Sequence, residues 1–248
     1  MTQDNEKATF GFKDVEADEK PALVQGVFES VAKKYDVMND FMSAGVHRLW
    51  KNKFISMINP QPHMTLLDVA GGTGDIAFRF IENGGGSVTV CDLTEGMVRV
   101  GRDRSMDKGI LSGIDWTVGD AQNLPIVDSS VDVYTIAFGL RNVTEIDIAL
   151  AEAYRVLKPG GRFMCLEFSH VVVPVFDKIY DKYSFELLPK IGQFVAGDET
   201  SYVYLVESIR RFPTQEDLIE KMKKAGFENT SYSNLTGGIA AIHSGWRI

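Results

Sequence analysis

The chain has 248 residues and a formal net charge of −8. This length allows one large α/β domain with a substantial hydrophobic core, without disulfide or metal staples. The acidic balance offers no field that would attract a polyanion, so nucleic acid is not expected as a partner. The four histidines are scattered without metal-ligand spacing, and no metal site is expected.

The first 20 residues are polar and acidic and predict a flexible lead-in, although the aromatic stretch Phe10-Gly11-Phe12 could pin it to the body. They contain neither an apolar secretory core nor an arginine-rich presequence. No apolar run approaches the length of a membrane span. We therefore expect a cytoplasmic protein of bacterial type, and peripheral contact with the inner membrane stays open.

Apolar residues at helical spacing predict a helix over 24–35, with Pro21 in its first turn, and a second helix over 51–58 that ends before Pro60. From residue 65 onwards, strand and helix patterns alternate. We expect strands at 65–69, 87–92, 114–118, 131–138 and 162–168, and helices at 76–82, 95–105 and 146–157. This alternation predicts an α/β fold with a doubly wound, mostly parallel sheet that binds ligands at the carboxyl ends of its strands.

Residues 170–212 interrupt the alternation and predict a helical insert, either a lid or a helix packed on the sheet edge. A further helix over 213–225 precedes two strands near 228–235 and 238–244, which predict a C-terminal antiparallel hairpin. Seven strands ending in such a hairpin are typical of the Rossmann-like class I methyltransferases. We expect one domain over 1–248, divided into an N-terminal helical cap (1–58), a cofactor-binding core (64–169), the insert (170–212) and the C-terminal helix and hairpin (213–248).

The apolar run LLDV is followed by AGGTGD, which predicts a strand, a glycine turn and a helix start. Gly72 and Gly74 fit the dinucleotide fingerprint, and Asp92 lies about 20 residues on, where a ribose-binding carboxylate is expected. However, Asp68 and Asp75 flank the turn, and a pyrophosphate there would lie between two carboxylates. A cationic, phosphate-free ligand such as S-adenosylmethionine therefore fits better than a dinucleotide. A ligand-free βα turn is the remaining alternative.

The carboxyl ends of parallel strands meet at one edge of a sheet. Segments far apart in the sequence should therefore line one crevice, namely 68–75, 92–94, 119–121 and 138–142.

Several distinctive blocks occur in order along the chain: YDVMNDFMSAGVHRLWK, LLDVAGGTGD, AFGLRNV, YRVLKPGGRFMCLEFS, YSFELLPKIG and YLVESIRRFP. With them the chain closely resembles the ubiquinone/menaquinone biosynthesis C-methyltransferase family over nearly its whole length. The resemblance implies methyl transfer from S-adenosylmethionine to a ring carbon of a polyprenylated quinol. That quinol is 2-methoxy-6-polyprenyl-1,4-benzoquinol in the ubiquinone branch and demethylmenaquinol in the menaquinone branch.

The resemblance implies donor contacts at Thr73, Asp92, Asp120 and Ala121. Together with the glycine turn and the crevice, the expected cofactor-binding set is Asp68, Gly71, Gly72, Thr73, Gly74, Asp92, Leu93, Asp120, Ala121 and Ala137. The family commonly has a serine where this chain has Ala137, so a hydroxyl is missing unless backbone atoms replace its contact. Ala70 replaces the first glycine of the wider methyltransferase pattern, which resembles the family's own DxAGGTGD form.

Methylating an aromatic carbon requires electron density there, which rises when the neighbouring phenol loses its proton. Lowering a phenol pKa of about 10 by about three units corresponds to roughly 4 kcal/mol. The resemblance implies catalytic roles for Arg141, Asn142 and Tyr35. Our hypothesis is that Arg141 polarises the quinol oxygen, while Asn142 and Tyr35 orient it. Arginine is a poor base because it stays protonated, and the alternative is that Arg141 caps a strand end or pairs with an acid.

Three other functions stay open: an NAD-dependent oxidoreductase, a methyltransferase for another small phenol, and a non-catalytic donor-binding subunit of a quinone-biosynthesis complex. The sequence also leaves open whether the chain forms a homodimer or joins such a complex. The apolar insert at 170–195 and the aromatic N-terminal segment are both candidates for holding a prenyl tail.

Overall fold

The computed structural model describes residues 7–16, 19–31, 45–172 and 199–248. The strands are β1 (Lys7–Phe10), β2 (Lys13–Glu16), β3 (Thr65–Val69), β4 (Ser87–Asp92), β5 (Ile114–Val118), β6 (Val131–Ala137), β7 (Leu157–Phe168), β8 (Glu228–Leu235) and β9 (Ala240–Trp246). The helices are α1 (Lys20–Val31), α2 (His47–Ile58), α3 (Asp75–Glu82), α4 (Glu95–Asp107), α5 (Ile146–Val156), α6 (Glu199–Arg211) and α7 (Gln215–Lys224).

Seven of these strands form one sheet in the order β5-β4-β3-β6-β7-β9-β8. The strands from β5 to β7 are parallel, whereas β9 runs antiparallel to both β7 and β8. The predicted doubly wound sheet with a C-terminal antiparallel hairpin is therefore confirmed. From β3 the chain adds β4 and β5 outwards in one direction, and from β6 it adds β7 in the other, with β9 inserted between β7 and the edge strand β8. The topological switch point, where ligands bind in such sheets, lies between β3 and β6.

The hydrophobic core lies on both faces of this sheet. Leu66 and Leu67 are neighbours in β3, and they belong to two different buried clusters because successive strand side chains point to opposite faces. One cluster packs around Phe54 of α2 and Phe80 of α3, and the other around Leu150 of α5. Covering both faces with helices makes the strands rigid supports for the loops at their carboxyl ends.

The N-terminal segment differs from the predicted flexible lead-in. β1 and β2 form an antiparallel two-stranded sheet. Phe10 stacks on Tyr204 of α6 with the ring centroids 4.3 Å apart, and Arg211 donates a hydrogen bond to the Phe12 carbonyl at 2.8 Å. The prediction that Phe10-Gly11-Phe12 pins the segment to the body is thus confirmed, whereas a flexible lead-in is wrong for residues 7–16.

Other differences concern the ends of elements. α1 begins at Lys20 with Pro21 in its first turn, and α2 begins four residues before the predicted Lys51. β7 begins at Leu157, directly after α5, because Leu157 pairs with Val131 before a register shift. The helical pattern predicted over 175–188 lies outside the described residues, whereas α6 confirms a helix in the last part of the insert. The predicted subdivision into cap, core and insert stays a prediction.

Among the helices in the described ranges, none combines the length and apolar character that crossing a bilayer requires.

Candidate functional site

A crevice opens at the carboxyl ends of β3, β4, β5 and β6. All four predicted segments contribute to its walls, and the N-terminal helix α1 adds Pro21, Val24 and Gln25. The crevice therefore coincides with the switch point, and α1 forms one of its sides. The predicted cofactor-binding residues that line it are Asp68, Gly71, Gly72, Thr73, Asp92, Leu93, Asp120, Ala121 and Ala137.

Gly74 is the predicted cofactor-binding residue that does not line the crevice. It has φ = 84°, and a Cβ there would lie 2.5 Å from the Trp116 ring, so this position requires glycine for the turn that starts α3. The hydroxyl of Thr73, expected to contact the donor, accepts a hydrogen bond from Arg104. Both residues thus help to hold the shape of the glycine turn.

Two strand ends beside the switch point have unusual backbone conformations. Ala70 after β3 and Phe138 after β6 have φ values of 50° and 58°, in the left-handed region that side chains other than glycine rarely adopt. Gly139, which follows Phe138, packs against Ala70. It must be glycine because a Cβ there would lie 2.5 Å from the Ala70 Cβ. Such strained positions cluster at ligand sites, and these two shape the floor of the crevice.

Asp92 ties two loops of the crevice together. Its Oδ2 accepts a hydrogen bond from the Gly72 N–H at 2.8 Å, and its Oδ1 accepts one from the Thr94 N–H at 2.9 Å. Burial raises the pKa of this carboxyl, and the two backbone bonds oppose that rise. Because each carboxylate oxygen has two lone pairs, Asp92 retains the capacity to accept hydroxyl donors from a ligand.

Asp68 lies at the bottom of the crevice and is fully buried. Its Oδ1 accepts a hydrogen bond from the Thr135 hydroxyl at 2.8 Å, whereas Oδ2 has no hydrogen-bond partner among the described residues. Burial raises the pKa of Asp68 to about 7, and the nearby Asp75 and Asp92 carboxylates act in the same direction. The unsatisfied acceptor is therefore suited to a cationic or hydrogen-bond-donating ligand.

Asp75, the other acid of the glycine turn, is already paired. Lys51 approaches its Oδ2 to 2.7 Å and Arg79 its Oδ1 to 3.1 Å. Burial opposes ionisation, but these two cations hold the pKa of Asp75 below its usual range. The charge that the sequence places at the helix start is thus neutralised locally, and Asp68, Asp92 and Asp120 are the other acids that line the crevice.

Arg141 does not line the crevice. Its Nη1 lies 2.6 Å from Glu167 Oε1 and donates a hydrogen bond to the Phe138 carbonyl at 2.5 Å. Both side chains of the Arg141–Glu167 pair are inaccessible to solvent. Burial raises the pKa of Glu167, and Arg141 opposes that rise. Arg141 thus pairs with an acid, as in the alternative to its catalytic role, and the residue borders a second cavity behind the crevice.

Asn142 does line the crevice. A hydrogen bond on the side away from the crevice fixes the orientation of its side-chain amide. Its Oδ1 accepts a hydrogen bond from the Tyr204 hydroxyl at 3.0 Å. Burial raises the pKa of Tyr204 to about 12, so the hydroxyl keeps its proton. With Oδ1 occupied in this way, the amide nitrogen is the part of Asn142 that can donate to a ligand. Tyr35, the third predicted catalytic residue, lies outside the described residues.

Sequence reasoning did not identify Tyr204 as a site residue. It opens the block YLVESIRRFP, so the signal was present in the sequence. Its role depends on a contact across 62 positions, which periodicity within α6 does not reveal. Phe10 of the N-terminal hairpin stacks on the same ring. A chain of contacts therefore joins the hairpin, α6 and the crevice.

Replacing Tyr204 by phenylalanine should lower turnover of the methyl transfer that the sequence predicts about tenfold, while leaving affinity for the expected donor unchanged. The change removes one hydrogen bond, which is typically worth about 1 kcal/mol, and frees the Asn142 amide to rotate. Steady-state kinetics and donor calorimetry measure the two effects separately. Tyr232→Phe, which loses a bond to Glu216 at the far edge of the sheet, is the matched control. Equal kinetics in both variants would argue against the positioning role.

Comparisons with known proteins agree with this fold. Residues 14–247 match the model of the ubiE/COQ5 methyltransferase family. The Brucella suis biovar 1 protein named ubiquinone/menaquinone biosynthesis C-methyltransferase UbiE is 56% identical over 244 residues, covering 97% of this chain and 91% of the relative. The protein of the same name from Brucella anthropi is also 56% identical, with 97% and 93% coverage.

Solved structures show the same architecture at low identity. A SAM-dependent methyltransferase from Thermotoga maritima aligns with a TM-score of 0.60 at 20% identity, over 90% of this chain and all of that one. Phosphoethanolamine N-methyltransferase 2 of Haemonchus contortus, solved in complex with S-adenosyl-L-methionine, aligns with a TM-score of 0.58 at 15% identity, over 79% of this chain and 52% of that one. These likenesses show the class I methyltransferase fold, and the family match and the 56% identity show that this chain belongs to the ubiE/COQ5 methyltransferase family.

Proposed function

We propose that the protein transfers the methyl group of S-adenosylmethionine to a ring carbon of a polyprenylated quinol, in ubiquinone or menaquinone biosynthesis. The observation that carries this proposal is the 56% identity, over 97% of the chain, with proteins named for that C-methylation. The crevice agrees with it, because it combines buried acids with glycine-rich backbone at the switch point. When bound, S-adenosylmethionine supplies a methyl group already activated on a sulfonium.

Asp68 and Asp92 are the residues that we assign to the two polar ends of the donor. Within the described residues, the Oδ2 of Asp68 is a buried acceptor without a hydrogen-bond partner, and it is suited to an ammonium group. Asp92 would accept the ribose hydroxyls, as the acid at the end of the second strand does in nucleotide-binding sheets. Gly71 and Gly72 leave room for the ligand beside the backbone. Thr73, Leu93, Asp120, Ala121 and Ala137 complete the walls.

Recognition of the methyl acceptor is assigned to Asn142, Arg141 and Tyr35. We propose that the Asn142 amide nitrogen donates to a ring oxygen, and that Arg141 acts on the same oxygen from the second cavity. Their task is to stabilise negative charge as the phenol gives up its proton. Holding the donor and the ring carbon in line supplies the other large contribution, worth up to about 7–11 kcal/mol.

A long isoprenoid tail requires an apolar path to the crevice. The pinned N-terminal segment and the insert at 170–195 are our candidates, and transient contact with a membrane surface is a third. We propose that the protein is cytoplasmic, with peripheral contact at the inner membrane as one route to a membrane-dissolved acceptor.

The test is incubation with isotopically labelled S-adenosylmethionine and short-tail reduced benzoquinol and naphthoquinol acceptors, followed by mass detection. We expect a product one methyl group heavier from at least one acceptor. Binding of NAD without binding of S-adenosylmethionine would favour the oxidoreductase alternative. Tight donor binding without methylation of any phenol would favour the non-catalytic subunit, and methylation of other phenols alone would change the substrate.

The raised pKa of Asp68 gives a pH-dependent prediction for donor binding. A cationic ligand favours the ionised carboxyl, so donor affinity should increase as the pH rises through about 7 and level off above it. Asp68→Asn should bind the donor more weakly and with little pH dependence. Calorimetry across this range measures both. Asp147→Asn, which removes a carboxylate paired with Lys221 on the surface, should behave as wild type.

The same group affects stability without a ligand. The folded protein keeps the Asp68 proton up to about pH 7, whereas the unfolded chain releases it near the ordinary value of 3.8. More protons are therefore bound in the folded state, and the free energy of unfolding falls as the pH rises through this window. Asp68→Asn should lack that fall.

For donor binding, a wild-type protein whose donor affinity is flat across pH 7 would contradict the assignment of Asp68.

A further inference from the structure

A second cavity lies behind the crevice, on the other side of the 3₁₀ turn Leu140–Asn142. Its polar lining includes Lys20, Arg141, Tyr204 and Arg211, and the β1–β2 hairpin closes one side. Val143 and Thr144 line both this cavity and the crevice, so the two spaces share one wall. The second cavity is therefore directly adjacent to the crevice.

Lys20 stands at the junction of the two spaces. It is 4% exposed, and its Nζ donates a hydrogen bond to the Val143 carbonyl at 2.9 Å. The next residue, Pro21, lines the crevice itself. The backbone atom that holds the amine thus belongs to the shared wall. A lysine is an unexpected residue in the first turn of a helix, where the helix dipole disfavours positive charge.

Other ionisable groups of the cavity are poor proton acceptors. Arg141 stays protonated and is paired with Glu167. Arg211, on α6, is paired with Asp14 of the hairpin. The Tyr204 hydroxyl is already protonated, and its raised pKa keeps it so.

Lys20 differs from these groups. Burial lowers its pKa to about 8, and Glu145 acts in the opposite direction. A substantial fraction of the amine is therefore neutral in mildly alkaline solution, which suits a general base.

We propose that Lys20 is the proton acceptor for the reaction: its neutral Nζ takes the proton of the ring hydroxyl next to the carbon that is methylated. This inference rests on the proposed function. The hydroxyl enters the second cavity across Val143 and Thr144, where Arg141 stabilises the oxygen as it becomes negative. Neither the hydrophobic tail nor the donor needs to enter this polar cavity.

The step balances. The O–H bond breaks and an N–H bond forms at Lys20, while the ring carbon forms a bond to the methyl group as the carbon–sulfur bond of the donor breaks. The methylated carbon then loses its own proton to water, and the Lys20 ammonium returns its proton to the ring oxygen. One proton is released overall, and the amine is regenerated for the next cycle.

The test compares Lys20→Met with Lys20→Arg, using donor calorimetry and methyl-transfer kinetics on each purified variant. Lys20→Met removes the amine at similar volume, and we expect turnover to fall by a factor of about 10²–10⁴ with donor affinity within a few-fold of wild type. Lys20→Arg keeps the charge and a donor for the Val143 carbonyl but cannot accept a proton, so it should be equally impaired. Lys221→Met, which removes a surface lysine, should keep wild-type turnover.

Chemical rescue supplies a readout that a structural role would not produce. Small primary amines added to Lys20→Ala should restore part of the turnover. With ethylamine and the less basic 2-fluoroethylamine, the rise of the rate with pH should occur at lower pH for the fluorinated amine. Wild-type turnover in Lys20→Arg, equal loss of donor affinity and turnover in Lys20→Met, absence of rescue, or a pH dependence common to both amines would each overturn the inference. A wild-type protein that methylates no quinol would instead defeat the proposed function.

Discussion

Replacing Arg141 by alanine is expected to lower the free energy of unfolding by about 3–5 kcal/mol, a cost typical of breaking a buried ion pair. The substitution leaves Glu167, which is inaccessible to solvent, without the guanidinium that compensates its charge. It also removes the hydrogen bond to the Phe138 carbonyl, at the strained end of β6. Urea unfolding monitored by circular dichroism measures the difference.

The double variant Arg141→Met/Glu167→Gln is the control for this prediction. It removes both charges together, so it should recover much of the stability that Arg141→Ala loses. The pH dependence has a fixed sign, because an unpaired buried Glu167 has a raised pKa and its folded form keeps the proton. The deficit of Arg141→Ala should therefore be small in acid and grow as the pH rises. A deficit below about 1 kcal/mol at neutral pH would show that the pair contributes little.

This cost changes how a loss of activity in Arg141→Ala is to be interpreted. Turnover should fall while donor affinity is retained, but only at temperatures where the variant stays folded. Calorimetry with S-adenosylmethionine under the assay conditions makes that distinction. Equal loss of donor affinity and turnover in folded protein would contradict a role confined to the acceptor.

Replacing Asp92 by alanine is expected to weaken donor binding by about 10–100-fold. Removing the carboxylate leaves the Gly72 and Thr94 N–H groups without their acceptor, and hydrogen bonds to charged groups are worth about 1.5–3 kcal/mol each. The two loops that shape the crevice would then lose their connection, in addition to any ribose contact. Titration calorimetry with S-adenosylmethionine measures the loss.

Two further variants locate the origin of that effect. Asp92→Asn keeps one carbonyl oxygen as an acceptor, so its donor affinity should lie between those of wild type and Asp92→Ala. Asp115→Ala removes an exposed carboxylate from the neighbouring strand β5 and should bind the donor as wild type does. Unchanged donor affinity in Asp92→Ala would remove this residue from the proposed donor site.

The sheet could be predicted from the sequence because its signals are local. Alternation of buried strands and amphipathic helices is a pattern within ten or so residues, and the glycine turn after Leu66-Leu67-Asp68-Val69 is contiguous. The crevice followed from the same information, because parallel topology alone brings the strand ends together. The lining residues at the strand ends were therefore predictable, whereas those that α1 adds were not. Gly74 was predicted to bind the cofactor, but the close approach of Trp116 makes it a structural requirement of the turn.

The contacts behind the crevice could not be predicted in the same way, because they join distant segments. Arg141 and Glu167 are 26 positions apart, and only the pairing of β6 with β7 makes them neighbours. A signal was present nonetheless, since a glutamate within the otherwise apolar strand FMCLEF needs a buried partner. Lys20 in the first turn of α1 was a comparable signal. The polar composition around Phe10 concealed the hairpin, whose ordering depends on stacking against Tyr204.

The proposed reaction transfers the methyl group to carbon rather than to oxygen of a reduced quinol. The most direct measurement uses a donor whose methyl carbon is isotopically labelled and a short-tail reduced benzoquinol, with the product examined by carbon NMR. We expect a labelled signal in the region of methyl groups attached to an aromatic ring. A signal in the methoxy region, or no labelled product from either benzoquinol or naphthoquinol, would contradict it.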